Sequence, residues 1–234
     1  MAYQKVLLKL SGEALMGTKA AGIASDKLAF YAHEIAQVHA LGIALGVVVG
    51  GGNFYRGVQQ QAIPRVQGDY MGMLATVMNG VALQSALKEK AVPSKLFSSL
   101  AAGPICDQYS PEKAQKSLAK GRVVIFTGGL GCPYFTTDSA ASVRALDMEA
   151  EVLLKGTRVD GVYTADPALD PTAQRLSKVT FQEAYERRLQ VMDMTAFTLC
   201  AEHALPVIVF DINQPGYLLR IVQGEPLGTL IAEL

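Results

Sequence analysis

Val47-Val48-Val49-Gly50-Gly51-Gly52-Asn53-Phe54-Tyr55-Arg56-Gly57 decides the fold class. A β-branched apolar run with no alternation between faces reads as the end of a buried parallel strand. Three glycines then remove every Cβ, which admits positive φ angles and lets another group lie against bare backbone N–H donors. In open α/β sheets ligands bind beyond the carboxyl ends of strands, and turns of this kind form anion-binding nests. Arg56 follows, with a guanidinium fork suited to phosphate. A tight turn whose glycines only ease packing is the plain alternative. The stretch favours a phosphate or nucleotide site.

The same pattern recurs on either side of it. Lys5 to Leu10 (K-V-L-L-K-L) reads as a first strand broken by Ser11-Gly12, with Lys9 near the end of the apolar run. Such a lysine is either a surface residue of an edge strand or, among buried neighbours, a site residue; the apolar run favours the second. Arg122 to Thr127 is a further buried strand ending in Gly128-Gly129-Leu130-Gly131, after which Thr136, Thr137 and Asp138 open a helix. Those three are good cap residues, yet a second glycine loop before a hydroxyl-rich helix start repeats the logic of the first. Glu151 to Lys155 mirrors the first strand, again ending in a lysine before glycine.

Between these points the chain alternates strands and helices. Glu13 to Ala24 reads as loop or hairpin. Ser25 is expected to cap a helix to about Leu41, with Leu28, Ile35 and Val38 on one face and Gly42 as its stop. A polar loop containing Pro64 precedes Asp69, which is expected to open a long helix to about Lys90. That helix is apolar nearly all round, so it belongs in a core or an oligomer interface. Short strands are expected at Ser94–Ser98 and near Pro104 to Asp107, a helix from Ser110-Pro111 to Gly121, and another opening at Asp193. A strand at Pro206–Phe210, a short helix and a last strand at Gly228–Ala232 complete the chain. The expectation is one domain, an αβα sandwich with a central, mostly parallel sheet.

The totals exclude several functions. The 234 residues are half hydrophobic and carry 21 basic and 21 acidic side chains. A balanced charge leaves no electrostatic footprint for nucleic acid or membrane, so phosphate binding has to be local. Cys106, Cys132 and Cys200 are scattered and lack C-x-x-C spacing, which predicts a reducing, cytoplasmic setting rather than disulfides or structural zinc. The amino terminus shows no signal-peptide pattern, and no apolar stretch is long enough to span a bilayer.

Two lysines at strand ends and two glycine loops suit phosphoryl transfer. That chemistry needs cations on the phosphates and backbone donors around the moving group. The G-x-x-x-x-G-K-[ST] loop and the protein-kinase H-R-D and D-F-G sets are missing. Lys9-Leu10-Ser11-Gly12, Gly50-Gly51-Gly52-Asn53 and Phe135-Thr136-Thr137-Asp138-Ser139-Ala140-Ala141 together resemble the amino acid kinase family. Gly68 to Gly80, Val159 to Pro167 and Gly224 to Thr229 resemble, more narrowly, its bacterial UMP kinase branch.

The resemblance covers essentially the whole chain. It implies ATP-dependent phosphorylation of UMP to UDP with Mg2+, in a homohexamer, with an acceptor-binding amino-terminal part and an ATP-binding carboxyl-terminal part. Lys9, Leu10, Ser11, Gly12, Gly52 and Arg56 would hold ATP phosphates, and Thr157, Tyr163 and Asp166 its adenosine. Gly51, Asp69 and the loop Leu130, Gly131, Cys132, Pro133, Tyr134, Phe135, Thr136 and Thr137 would bind UMP. Lys9 and Lys155 would stabilise the moving phosphoryl group, while Asp138 orients them or helps place the metal. The branch is often activated by GTP and inhibited by UTP; Gln84 and Lys88 at the corresponding helix leave that response open. Two other classes stand beside it: a relative phosphorylating a carboxylate or carbamate, and a nucleotide-sensing oligomer without activity. Asp69 speaks against the first, and the two lysines against the second.

Overall fold

The computed structural model describes residues 2–55, 63–165, 169–170, 172–189 and 191–233. In chain order the elements begin with β1 (Lys5–Leu10), α1 (Gly12–Met16), α2 (Ser25–His39), β2 (Ala44–Val49) and α3 (Arg65–Glu89). There follow β3 (Ser94–Ser98), β4 (Asp107–Gln108), α4 (Pro111–Leu118), β5 (Val123–Thr127), α5 (Thr137–Asp147) and β6 (Val152–Thr157). A two-stranded hairpin of β7 (Val162–Tyr163) and β8 (Arg175–Leu176) precedes β9 (Lys178–Val179), α6 (Phe181–Glu186) and α7 (Met194–Glu202). The chain closes with β10 (Val207–Asp211), α8 (Tyr217–Val222) and β11 (Thr229–Ile231).

Nine strands form one sheet in the order β4-β3-β5-β2-β1-β6-β10-β11-β9. Every neighbouring pair is parallel except β10 with β11. Apolar residues on both faces of the central strands are what such a sheet requires. Val6, Leu8 and Leu10 of β1 pack on one side with α2, α3 and α8, through Tyr31, Leu83 and Leu218. Leu7 faces the other side with α4 to α7, through Ala141, Phe181 and Phe197. Strand alternation therefore sends Lys9 towards the side of α5 and α7, in step with Leu7.

β1 is where the chain changes direction across the sheet. Its partner on one side is β2, reached through α2; on the other it is β6, reached from β5 by the crossover helix α5. A crevice opens beyond the strand ends at such a switch, which is where ligands bind.

Several local expectations change. The segment after Ser11 is a helical turn, α1, because Ser11 Oγ accepts from Ala14 N at 3.2 Å. Ser25 is the first residue of α2, and Ala24 occupies the cap position without a side-chain bond. α3 begins four residues before Asp69: Pro64, with φ fixed at −57°, caps it, and its carbonyl accepts from Gly68 N. Asp69 is therefore inside the helix and not its cap. Gly50, Gly51 and Gly52 have no positive φ; the left-handed glycines are in the second loop, at Gly128, Gly129 and Gly131. None of the helices in the described residues is long and apolar enough to cross a membrane.

Candidate active site

Lys9 and Lys155 are direct partners across the β1–β6 pair. Two ammonium groups so placed repel, and the structure sets a carboxylate between them. Thr136 caps α5, its Oγ1 accepting from Asp138 N and Ser139 N, and the first turn turns Asp138 towards the sheet. Asp138 Oδ1 lies 2.8 Å from Lys9 Nζ and Oδ2 lies 2.7 Å from Lys155 Nζ. The three side chains are only 11, 15 and 13% exposed for Lys9, Asp138 and Lys155. Lys155 Nζ also donates to Val191 O at 2.5 Å.

Burial pushes the Asp138 carboxyl up, but the charges of Lys9 and Lys155 outweigh it and hold it below the ordinary value. Burial lowers Lys155, and Asp138 offsets this only in part. The cluster carries two positive charges against one negative. That surplus suits a polyanion arriving beside it.

The two amino-terminal turns touch through bare backbone. A Cβ on Gly12 would lie 2.6 Å from Gly52 N, and one on Gly50 would lie 2.7 Å from Gly12 N. Close approach, and not left-handed geometry, is the reason for these glycines. Gly50 N closes on Leu10 O at 2.8 Å, and Leu10 itself is buried.

Beside this turn lies a cleft of about 530 Å3, with Gly51, Gly52, Asp69, Leu130 and Phe135 among its walls, and Thr136 and Thr137 at its α5 end. Gly51 packs against Gly72 of α3, where a Cβ would fall 2.4 Å from the Gly72 carbonyl. The loop carrying Gly131, Cys132 and Pro133 turns at Tyr134, whose φ of +75° is unusual for a side-chain-bearing residue. Asp69 holds that turn: its Oδ2 accepts from Tyr134 N at 2.8 Å and from Arg65 Nε at 2.9 Å. Cys132 is exposed.

Asp138 and Lys155 also line a larger cavity of about 820 Å3, walled by Leu189, Met192 and Phe197. Thr157 and Tyr163 are not among its described walls. Thr157 Oγ1 donates to Val159 O at 2.7 Å, and Tyr163 OH donates to Asp160 Oδ1 at 2.7 Å. Arg158, beside them, pairs with Glu13 of α1 at 3.1 Å. Arg56 and Asp166 lie outside the described residues.

Three polar contacts of this region go beyond the sequence expectations, which place Asp193 only at a helix start, as it is. Asp193 accepts from Thr136 Oγ1 and Ser139 Oγ while capping α7 through Ala196 N, so it ties the starts of two helices together. Asn79 and Asn53 form a reciprocal amide pair, and Asn79 Nδ2 also donates to Gly50 O at 2.7 Å. Thr76 accepts from Gly128 N. A polar or small residue at 69, 72, 76 and 79 is a helical stripe, visible in the sequence beneath the apolar majority.

Among the described residues no three His, Cys, Asp or Glu side chains converge as a metal cage. Asp138 Oδ1 accepts no well-aligned hydrogen bond, although Lys9 Nζ is close, so one buried carboxylate lone pair is left over.

A mostly parallel αβα sandwich with paired lysines and two glycine loops at its carboxyl edge defines a phosphotransferase class of site. The amino acid kinase family model matches residues 4–211, and the chain belongs to that family. It is 51% identical over 233 residues to the uridylate kinases of Escherichia coli (strain K12) and Pectobacterium atrosepticum, covering 99% of this chain and 97% of each relative. The UMP kinase structure from Bacillus anthracis superposes with a TM-score of 0.96 at 35% identity, covering 99% of this chain and 97% of that one. The UMP kinase from Ureaplasma parvum gives 0.93 at 34% identity over the full length of both.

Proposed function

We propose that the chain transfers the γ-phosphoryl group of ATP directly to UMP, giving UDP, as a step of pyrimidine nucleotide synthesis. The observation that carries the chemistry is the buried Lys9–Asp138–Lys155 cluster, with its surplus positive charge at the end of β1 and β6. Lys9 and Lys155 stabilise the charge on the moving group, and Asp138 keeps the two ammonium groups apart and aimed. Leu10, Ser11, Gly12, Gly52 and Arg56 hold the donor phosphates; Thr157, Tyr163 and Asp166 hold its adenosine. UMP occupies the cleft between Gly51, Asp69 and the Leu130–Thr137 loop, with Asp69 accepting from its ribose hydroxyls. The amino-terminal part of the one domain thus supplies most of the acceptor side together with the turns under the donor phosphates, and the carboxyl-terminal part holds the adenosine.

Mg2+ fits here as an ion carried on the phosphates, since it keeps its waters and takes one or two carboxylates. Asp138 is the residue that would reach it, and the ion would neutralise charge on the β- and γ-oxygens. A cytoplasmic homohexamer completes the reading, with the response to GTP and UTP left open.

A coupled ADP-release assay over UMP, dUMP, CMP, AMP and N-acetylglutamate tests it. UMP should be the preferred acceptor, ahead of dUMP by about tenfold or more, since hydrogen bonds to a charged acceptor are worth roughly 1.5–3 kcal/mol. Turnover of N-acetylglutamate in place of UMP, or of no acceptor, would sink the proposal.

A further inference from the structure

We propose that Thr76 is a positioning residue that fixes the acceptor loop, acting through the backbone N–H of Gly128; this rests on the acceptor reading above. Thr76 is on the inner face of α3, 2% exposed. Its hydroxyl proton is committed: Oγ1 donates to Met73 O at 2.7 Å, the local bond typical of a threonine within a helix. One of its two lone pairs accepts from Gly128 N at 2.7 Å. Both bonds are buried, so neither partner has water to fall back on.

Gly128 is the pivot of the loop. Its φ is +73°, and a Cβ there would lie 2.8 Å from Ser98 Oγ and 2.9 Å from Leu100 N. The following carbonyl, Gly129 O, accepts from Ser99 Oγ at 2.8 Å, and Gly131 N closes the turn on Gly128 O at 2.9 Å. The loop thus leaves β5 with its direction set by one bond from α3 and one from the end of β3. Two helical turns before Thr76, on the same face, Asp69 receives Tyr134 N from the far end of the loop. One helix face therefore grips both ends of the segment 128–134. Thr76 borders the acceptor cleft, but it is 2% exposed and its hydroxyl is bonded to Met73 O and Gly128 N, so its effect on the acceptor runs through the loop it holds.

The test compares Thr76→Val, which keeps shape and loses the hydroxyl, with Thr76→Ser, which keeps the hydroxyl. Steady-state kinetics are read against both substrates, and amide hydrogen exchange of residues 128–134 is measured in the unliganded protein. Thr76→Val should raise the UMP KM about tenfold, as expected for an amide left buried without an acceptor. The ATP KM should stay within about twofold, loop exchange should accelerate, and Thr76→Ser should behave as the parent. Should the valine protein not fold, Thr76→Ala is measured in the same way. An unchanged UMP KM with unchanged exchange overturns the proposal, as does an equal rise in both KM values or a serine variant that behaves like valine. If the parent does not phosphorylate UMP, the functional reading has failed, and the exchange comparison alone decides whether Thr76 holds the loop.

Discussion

Lys9 and Lys155 face each other across two parallel strands, and the charge arithmetic of their cluster separates catalysis from stability. Replacing either lysine by methionine leaves one buried ion pair, so the fold should survive. Rate should not: losing a charge-stabilising group in a dry site costs roughly 3 kcal/mol, on the order of a hundredfold in kcat. Asp138→Asn does the reverse, leaving two buried ammonium groups without a counter-charge, and should lower the melting temperature as well as the rate. Near-parental kcat in folded Lys9→Met or Lys155→Met removes that lysine from the mechanism. The pH profile gives a second reading. Lys155 is charged below its pKa, burial sets that pKa below the ordinary 10.5, and Asp138 restores only part of it. Activity should therefore fall on the alkaline side as pH rises through this lowered value, and Lys155→Arg should move the limb upward. On the acid side, stability from Asp138 is fully present above 3.8 and is lost as pH falls through its lowered value.

At the scale of elements, the decisive contact is the turn of β1 into α1 lying against the turn after β2. Gly12→Ala would put a methyl 2.6 Å from a backbone nitrogen, with no flexible side chain to yield. Overpacking of this kind costs about 1–3 kcal/mol, and it should separate the proposed phosphate-binding backbone of the two turns. The expected result is a lower melting temperature together with a raised ATP KM; a variant unchanged in both shows that the turns tolerate the methyl. Much of this level was legible in the sequence. β1, β2, β5, β6 and β10 appear as mainly apolar runs, broken in β1 and β6 by the site lysines, because both faces of the sheet are covered. What stayed hidden was local and short. α1 is a single capped turn of five residues, and α6 announces itself only by the Thr180–Glu183 capping box. The lysines and glycine loops could be read as a site from residue type and position. Asp193 reads only as a helix start and Asn79 and Thr76 only as members of a polar stripe; their bonding is not legible, since their partners are 54, 29 and 52 residues away in the chain.

For the molecule as a whole, α3 raises the question of what covers its outer side. Its inner face holds Asp69, Thr76 and Asn79 against both glycine loops, while Val77, Leu83 and Leu87 enter the core. On the outside Met71, Leu74, Met78 and Val81 form a helical stripe, with Leu74 56% and Met78 52% exposed. An apolar stripe of this width on a helix that already serves a core marks an interface. A second copy of the chain, packing stripe to stripe about a two-fold axis, is the occupant proposed as the first step of the hexamer. Leu74→Glu and Met78→Glu should then dissociate the assembly while leaving each subunit folded, as both side chains point outward. Val77 is a poorer probe: it is buried in the core, so Val77→Glu should unfold the subunit instead. Sedimentation and circular dichroism distinguish the two results. A parent protein that sediments as a monomer at micromolar concentration rules the interface out, and so does a folded glutamate variant that keeps the parental mass. Because the same helix grips the acceptor loop from its other face, the dissociated variants should also show a raised UMP KM, with a smaller change for ATP.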